Sequence, residues 1–300
     1  MKLNKRSGSA ADLSFERPLR VKRNGVRAHA SGPGTKRGSS RLTVLAVQTA
    51  VLAVTLAATG FTAAQSSAQV FKTAAGPVEI TPIFHASAII KAGGDTIYID
   101  PAHPANIADL PPADLILITD VHPDHMDVAD IAALKGKSTE IVAPAAVQDT
   151  VKTAKALANG ESLQWHKWKI TAVPMYNVAH NMPNGTPFHP KGRGNGYILS
   201  YGGKNFYFAG DTEGTPEMRA LRGIDVAFVP MNLPYTMTPQ EAAEAVKAFK
   251  PKVVIPYHYR GQDLQLFAKA LIGTGIEVRL LDWYANPASN ASVPAPGSKK

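Results

Sequence analysis

The sequence predicts an α/β protein in which two β-sheets pack together with helices outside them, an αββα sandwich. Two observations carry this prediction: short apolar runs that are often β-branched, and amphipathic helical patterns that alternate with some of them. Strands come first, strands and helices then alternate, and a second set of strands precedes a second alternation. Because each set can form one sheet, this order favours two packed sheets covered by helices.

Strands are predicted where the chain is short, apolar and commonly β-branched. The predicted strands are Val78 to Phe84, Ala86 to Lys91, Thr96 to Asp100, Asp114 to Thr119, Glu140 to Ala143, Lys169 to Tyr176, Gly196 to Tyr201, Asn205 to Ala209, Val226 to Met231, Val253 to Tyr257 and Glu277 to Asp282. The predicted helices are Val128 to Leu134, Ala145 to Ala158, Pro216 to Leu221, Pro239 to Phe249 and Leu264 to Leu271. The fourth has the clearest start, because Thr238 can cap it and Glu241 completes a capping box.

The charge distribution separates a basic leader from a nearly neutral remainder. The chain has 300 residues and a formal net charge of +9. Residues 1–41 hold eleven Lys/Arg against two Asp/Glu, whereas the rest of the chain holds 21 of each kind. The domain predicted over residues 70–285 is therefore not expected to bind nucleic acid, and it is long enough for one sizeable core. Residues 286–300 are predicted to be a disordered tail.

An uncharged, apolar stretch from Leu42 to Phe71 follows the basic residues. The small residues Ser66 to Ala68 suit a cleavage site, so residues 1–68 are predicted to be a basic leader with a signal peptide. An uncleaved membrane anchor is the alternative, because about 20 apolar residues can span a bilayer. The protein is accordingly expected to be exported, either as a periplasmic or secreted protein or as one anchored by this segment. The absence of cysteine excludes structural disulfides.

The most informative motif is a cluster of potential metal ligands that follows the apolar run ending at Ile118. Its members are Asp120, His122, Asp124 and His125. The first two share one side of an extended chain, and Pro123 stiffens the turn that brings the last two to a second position. Carboxylate oxygen and imidazole nitrogen bind borderline divalent metals at roughly 2.0 to 2.2 Å. The motif predicts a site for two neighbouring cations; the alternative is a solvated loop before a helix capped by Asp127.

Further candidate ligands recur where other apolar runs end. Asp211 follows the run from Phe206 to Gly210, and His258 follows the run from Val253 to Tyr257. His189 lies in a Gly- and Pro-rich loop just before the next predicted strand. Each is a weak indication alone, because a single histidine is more often a core or surface residue. Together, at repeated strand ends, they favour a two-metal site.

This set of motifs resembles that of the metallo-β-lactamase superfamily, in which His-x-His-x-Asp-His is followed by a His, an Asp and a last His. The resemblance spans about residues 78–282 and implies a four-layer αββα metallo-β-lactamase-like sandwich. It implies one metal held by Asp120, His122 and His189, a second held by Asp124, His125 and His258, and a bridging Asp211. Three further segments look like the branch of small hydrolases that includes the ascorbate-phosphate lactonases: Tyr98 to Pro101, Gly210 to Glu213 and Tyr257 to Tyr259.

The chain departs from the superfamily pattern at Asp120, where a histidine is usual. A third carboxylate hardens the first site, so Mn²⁺ and Fe²⁺ become alternatives to the Zn²⁺ that is expected, and the first site could also be weak or empty. His180 competes with His189 for the third motif, and the resemblance favours His189. Asp100 is expected to order the floor of the site beside the ligands.

These residues imply a metal-dependent hydrolase. Two cations about 3.5 to 4 Å apart can share a water, lower its pKa towards ~7 and present hydroxide to a carbonyl or phosphoryl centre. The expected substrate is a small ester, lactone, amide or phosphodiester, and Asp124 is expected to orient the hydroxide as well as to bind metal. Lys191, Arg193 and Tyr259 could bind an anionic substrate, although an exposed Lys or Arg is more often a solvated charge. His85 either lines the pocket or is a hydrogen-bonded core histidine.

Two other functions remain open from the sequence. One is a true β-lactamase, which export would suit but which the aspartate at position 120 disfavours. The other is a non-catalytic metal-binding protein of the cell envelope with the same fold. A small molecule is the expected partner, and contact with a membrane is expected only if the leader is not cleaved.

Overall fold

Fourteen strands and four α-helices make up residues 68–284, the part of the chain that the computed structural model describes. The strands are β1 (Gln69–Thr73), β2 (Gly76–Phe84), β3 (Ser87–Ala92), β4 (Asp95–Ile99), β5 (Ala113–Leu117), β6 (Lys135–Ala143), β7 (Lys155–Ala156), β8 (Ser162–Trp165), β9 (Trp168–Met175), β10 (Gly194–Tyr201), β11 (Lys204–Phe208), β12 (Val226–Pro230), β13 (Val253–Tyr257) and β14 (Glu277–Val278). The helices are α1 (Val128–Leu134), α2 (Pro216–Ala220), α3 (Pro239–Phe249) and α4 (Leu264–Ala270), with a 3-10 helix at Ala145–Asp149.

The two sheets have the same arrangement of strand directions. The first sheet runs in chain order from β1 to β7, antiparallel up to β4 and parallel from β4 onward. The second repeats this pattern from β8 to β14, antiparallel up to β11 and parallel from β11 onward. Parallel neighbours need long crossover connections, and the helices lie in the connections of these parallel halves.

Three hydrophobic clusters define the layers. The central cluster contains Leu117 of β5 and Phe208 of β11, so it fills the space between the two sheets. A second cluster packs strand residues of the second sheet, such as Val229, against Phe249 of α3. A third packs strand residues of the first sheet against Ile131 of α1. The sequence of layers is therefore helix, sheet, sheet, helix, which confirms the predicted αββα sandwich.

The predicted helix from Ala145 to Ala158 is wrong. Only a single 3-10 turn forms at its start, and the chain then pairs Lys155 and Ala156 with the edge of β6. Leu157 follows and is buried in the central cluster. Burial of this leucine and extension of the sheet override the helical propensity of the local sequence. The strands β1 and β8 were not predicted, and β14 is shorter than the predicted strand Glu277 to Asp282.

The remaining predicted helices and strands agree with the structure to within a few residues, apart from β6, which begins five residues earlier than predicted. The helix α3 starts as expected, because the Thr238 side chain accepts a hydrogen bond from Glu241 N while the Glu241 carboxylate accepts one from Thr238 N. None of the helices between residues 68 and 284 is long and apolar enough to cross a membrane. The predicted leader up to residue 67 and the predicted tail from residue 286 lie outside the described residues.

Candidate metal centre

Six of the seven candidate ligands lie in the loops that follow the parallel strands β5, β11 and β13, and the seventh, His189, lies in the loop between β9 and β10. Sharp turns let the chain leave two of these strands: Gly210 has φ 67° and His258 has φ 49°. His85 and Asp100 also have positive φ, so this region contains three of the five non-glycine residues with left-handed backbone between residues 68 and 284. Such conformations cost roughly 1–3 kcal/mol each and collect at functional sites.

The first half of the centre contains Asp120, His122 and His189, whose ligand atoms lie within 4.8 Å of one another. The Asp120 carboxylate is buried and lies 2.9 Å from His122 Nδ1 and 4.0 Å from His189 Nε2. Asn177 fixes His189, because its side-chain oxygen accepts hydrogen bonds from His189 N and Nδ1 at 2.6 and 2.8 Å. A proton on Nδ1 leaves the Nε2 lone pair of His189 free to face the centre.

The second half contains His85, Asp124 and His258. Asp124 Oδ2 lies 3.1 Å from His85 Nε2 and 3.5 Å from His258 Nε2. The two imidazole rings lie 3.7 Å apart between centroids. The side-chain amide of Asn232 contacts His258 Nδ1 at 3.2 Å, so the other ring nitrogen of His258 faces the centre.

Asp211 lies between the two halves. Its Oδ2 atom is 3.1 Å from His189 Nε2 and 3.2 Å from His125 Nε2, and its Oδ1 atom is 3.4 Å from His258 Nε2. The structure therefore brings the seven residues predicted as ligands into one cluster with Asp211 between the halves, but it groups Asp124 with His85 and His258, and His125 with Asp211 and His258. His85 is an eighth member of the cluster, and it is a buried histidine with hydrogen bonds to Tyr284 and Asp124.

Three buried atoms in this cluster have no hydrogen-bond partner: His125 Nε2, Asp211 Oδ1 and His258 Nε2. Buried polar atoms are nearly always paired, so three unpaired ones in one cluster require an explanation. Nitrogen and carboxylate oxygen atoms that converge without partners are the donor set that a divalent cation accepts. The residues present therefore fit a metal ion.

Asp100 fixes the ring of His125 through a hydrogen bond to its Nδ1 atom. Asp100 Oδ2 accepts hydrogen bonds from His125 Nδ1 at 2.8 Å and from Thr119 Oγ1 at 2.6 Å, and Oδ1 accepts one from Thr119 N at 2.7 Å. All three residues are buried. A carboxylate behind a ligand histidine fixes the ring and its tautomer, so that His125 Nε2 points towards Asp211.

The charges of the centre are strongly coupled. His258 and His125 hold the pKa of Asp211 well below its usual range although burial opposes this shift. The pKa of His125 is raised well above its usual value against the effect of burial, chiefly by Asp211 and Asp100. Burial and the neighbouring His258 lower the pKa of His85 to about 3, so His85 is neutral at pH 7. These shifts favour an ionised Asp211 and a protonated His125 in the absence of a cation.

Arg193 forms a two-pronged ion pair with Asp120. Its Nε atom donates to Asp120 Oδ1 at 3.1 Å, and its Nη2 atom donates to Asp120 Oδ2 at 2.9 Å. The same Nη2 atom lies 3.3 Å from His122 Nε2. Arg193 directly precedes β10, which anchors its backbone beside the first half of the centre. This arginine is therefore neither a solvated charge nor a free substrate-binding group.

Two other residues considered for substrate binding lie elsewhere. Lys191 is exposed and pairs with Glu217 at 2.7 Å while its ammonium lies over the ring of Tyr176. Tyr259 donates its hydroxyl hydrogen to Leu281 O at 3.1 Å and packs against the core. His180, the alternative to His189, pairs with Glu241 instead of joining the cluster.

Several residues of the centre were missed because their partners are distant in sequence. Glu213 holds the loop that carries His189, since it accepts hydrogen bonds from Asn177 Nδ2, Ala179 N and His180 N at 2.7 to 2.9 Å. Tyr284 lies 2.6 Å from His85 Nδ1 through its hydroxyl. The only local signal for Glu213 was its position two residues after Asp211.

A cavity of about 610 Å³ opens onto the centre. Its floor includes His122, Asp124, His189 and Asp211, and two arginines, Arg193 and Arg260, line it as well. Met182, Phe188 and Tyr235 supply apolar surface. This volume suits a small molecule and falls within the range of ligand pockets, roughly 300–1,000 Å³.

The comparisons with known proteins agree with this architecture. The model of the beta-lactamase superfamily domain matches residues 54–259. A UPF0173 metal-dependent hydrolase of Thermococcus kodakarensis is 34% identical over 221 residues, which cover 68% of this chain and 96% of the relative. A UPF0173 metal-dependent hydrolase of Thermus thermophilus is 32% identical over 219 residues, covering 67% of this chain and 94% of the relative.

A crystal structure from Parabacteroides distasonis, of a protein assigned to the metal-dependent hydrolases, is 40% identical and superimposes with a TM-score of 0.69. The match covers 72% of this chain and 98% of that one. The family model spans well over half of the chain, and these relatives are matched over nearly their whole length. The chain therefore belongs to the metallo-β-lactamase superfamily.

Proposed function

We propose that this chain is a two-metal hydrolase that acts on a small ester, lactone, amide or phosphodiester. Membership of the superfamily and relatives named as metal-dependent hydrolases support the general class. The single observation that carries the proposal is the set of unpaired buried atoms, His125 Nε2, Asp211 Oδ1 and His258 Nε2, grouped around Asp211, which itself lines an open cavity. The resemblance to the branch of ascorbate-phosphate lactonases stays a prediction.

The metal ligands in this proposal are the residues predicted from the sequence. Asp120, His122 and His189 would hold one cation, Asp124, His125 and His258 would hold the other, and Asp211 lies between the two sets. Such cations acidify water and polarise the oxygen of a carbonyl or phosphoryl group. The oxygen and nitrogen donors, with no thiolate in the chain, suit Zn²⁺ first and Mn²⁺ or Fe²⁺ as alternatives.

Asp124 is the residue that we propose to orient the attacking water. Its side chain is 34% exposed, whereas those of Asp120 and Asp211 are almost completely buried, so its carboxylate faces the cavity. The neighbouring His258 and the hydrogen bond to His85 hold the pKa of Asp124 far below its usual value although burial opposes the shift. Asp124 Oδ2 is thus ionised and held by His85 so that it can orient attacking water.

The test uses the full-length protein expressed with Zn²⁺ or Mn²⁺ in the medium. We expect between one and two divalent ions per chain by elemental analysis, together with hydrolysis of at least one member of a panel of small esters, lactones, amides, phosphodiesters and β-lactams. Asp211→Asn should lose metal and hydrolysis together, whereas Glu244→Gln, which changes an exposed carboxylate paired with Lys247, should change neither. Bound metal without hydrolysis of any panel member would favour the non-catalytic alternative.

We also propose that the chain is exported, because residues 42–64 are apolar and follow a basic segment. Fractionation of cells and N-terminal sequencing of the recovered protein test this proposal. A mature N-terminus near residue 69 in the periplasm or the medium supports cleavage. An intact leader in the membrane fraction supports the anchor instead.

A further inference from the structure

The cavity above the candidate centre contains two guanidinium groups with different partners. The Asp120 carboxylate neutralises Arg193 through two hydrogen bonds. Arg260 has no carboxylate within 4.0 Å among residues 68–284, and its buried Nε atom has no hydrogen-bond partner. An arginine keeps its charge at any ordinary pH, so Arg260 is an uncompensated cation at the edge of the pocket.

The backbone of Arg260 is fixed close to the centre. Arg260 N donates to the hydroxyl of Tyr284 at 2.8 Å, and the same hydroxyl lies 2.6 Å from His85 Nδ1. The guanidinium Nη2 atom is 3.4 Å from His85 Nε2. Arg260 follows the candidate ligand His258 by two residues, so its charge lies on the side of the second half of the centre.

The contact with His85 does not satisfy Arg260. His85 Nε2 is also 3.1 Å from Asp124 Oδ2, and one ring nitrogen cannot both donate to the carboxylate and accept from the guanidinium. The hydrogen-bond pattern with Tyr284 as donor to Nδ1 places the proton on Nε2, towards Asp124. Arg260, which lines the cavity, then retains donors without a partner among residues 68–284. Arg is the side chain best suited to bind carboxylate or phosphate through two bonds.

Another part of the cavity lining is apolar. Phe188 directly precedes His189, so it lies beside the first half of the centre. Its ring packs edge to face against Tyr235, with 5.1 Å between centroids, and Tyr235 is 41% exposed. Met182 adds to the same wall. The cavity lining thus combines a cation next to the second half of the centre with aromatic surface next to the first half.

We propose that the substrate carries an anionic group, a carboxylate or a phosphate, that binds Arg260, and an apolar group that packs against Phe188 and Tyr235. The bond to be hydrolysed then lies between these groups, above the centre. This inference rests on the proposed function and narrows its substrate class. The second half of the centre selects the anionic end, and the first half accepts the apolar end.

Binding experiments without turnover test the anion site. Benzoate, phenylphosphonate and the neutral benzamide are titrated by calorimetry into full-length, metal-loaded protein, and Arg260→Gln is compared with wild type. We expect Arg260→Gln to weaken binding of at least one anion tenfold or more, since a hydrogen bond between charged groups is lost, while benzamide binding changes less than twofold. The anion with the larger loss identifies the group that Arg260 recognises.

Arg222→Gln is the matched control because it removes the same charge from an exposed arginine outside the cavity that bonds only backbone carbonyls. It should leave all three affinities unchanged, and metal content must be equal in all variants. Equal anion affinity in wild type and Arg260→Gln would overturn the anion site. The same follows if wild type binds neither anion.

The apolar wall is tested by comparing benzoate with acetate. Phe188→Ala should reduce the preference for benzoate by several-fold, whereas an unchanged preference overturns that half of the proposal. The binding results are independent of the proposed function. If anion binding depends on Arg260 but the protein hydrolyses no substrate, the anion site stands and the proposed hydrolase activity is contradicted. If the protein hydrolyses a substrate but Arg260→Gln does not change anion affinity, the hydrolase activity stands and the anion site is contradicted.

Discussion

The two halves of the candidate centre have the same composition but different charge balance. Each half combines one aspartate with two histidines, and Asp211 contacts both. In the first half the buried Asp120 is already neutralised by Arg193. In the second half Asp124 faces the cavity and contacts only histidines, while Arg260 lacks an acidic partner among the described residues. A ligand carboxylate that is already paired attracts a cation less strongly, so we expect the second half to bind metal first.

The largest effect is expected from the residue that the two halves share. Asp211→Ala removes the carboxylate that contacts His189, His125 and His258. We expect metal to fall below about 0.2 per chain and activity to fall more than about 100-fold, because even residues that only support ligands change metal affinity roughly 10–100-fold. Elemental analysis and steady-state kinetics measure both. Retention of one full metal would show that the halves are independent of Asp211.

A comparison of Asp124→Ala with Asp120→Ala separates the halves. Asp124→Ala should lower kcat more, because it removes a ligand together with the group proposed to orient water. Asp120→Ala should lower metal content by up to one ion per chain while part of the hydrolysis remains. If Asp120→Ala changes neither quantity, Asp120 is only the partner of Arg193.

Substitution of Arg193 is the third way to alter the charge balance between the two halves of the centre. Replacement of Asp120 by histidine alone would restore the usual superfamily ligand but leave Arg193 without its carboxylate, so we expect it to bind metal poorly. Arg193→Gln should raise the metal affinity of the first half about tenfold, since it removes a cation close to the ligands.

The double variant Asp120→His with Arg193→Gln should bind Zn²⁺ in preference to Mn²⁺, because imidazole is the softer donor. Competition titrations with the two metals decide this, and equal preference in the double variant and wild type would contradict it.

The smallest expected effect is the release of a proton when metal binds. The pKa of His125 is raised well above its usual value in the absence of a cation, so His125 binds a proton at pH 7 that a metal must displace. We expect release of about one proton per chain on metal binding and tighter binding as the pH rises. Calorimetry in buffers of different ionisation enthalpy measures the number released. An affinity that does not change between pH 6 and pH 8 would contradict a protonated His125.

The sequence predicted those parts of the fold and the site that depend on local pattern. Asp120 to His125, Asp211 and His258 each follow an apolar strand, and strand ends of parallel sheets meet at one edge, so their proximity could be anticipated. The pairing of Arg193 with Asp120 could not, because it joins residues 73 positions apart through side-chain geometry. The failure at Ala145 to Ala158 has a similar origin, since a neighbouring strand edge decided the conformation.

His85 shows why part of the site could not be predicted from local sequence. It follows β2 as a single histidine, and nothing near it in sequence indicates a ligand. Its role depends on Asp124, on His258 and on Tyr284, which lies 199 residues away. Lys191 agrees with the alternative that the sequence favoured, an exposed charge, and its partner is Glu217 on α2.

The hydrogen bonds of His85 also determine how much of the chain must be translated before the surroundings of His85 are complete. His85 N donates to Trp283 O at 3.0 Å, and His258 N donates to His85 O at 3.1 Å. The last described residues therefore complete the surroundings of a histidine that is translated some 200 residues earlier. Contacts so distant in sequence slow folding, because a long loop must close before they form. A nascent chain truncated before residue 283 therefore lacks the hydrogen bonds with Trp283 and Tyr284 that hold His85 beside Asp124 and His258.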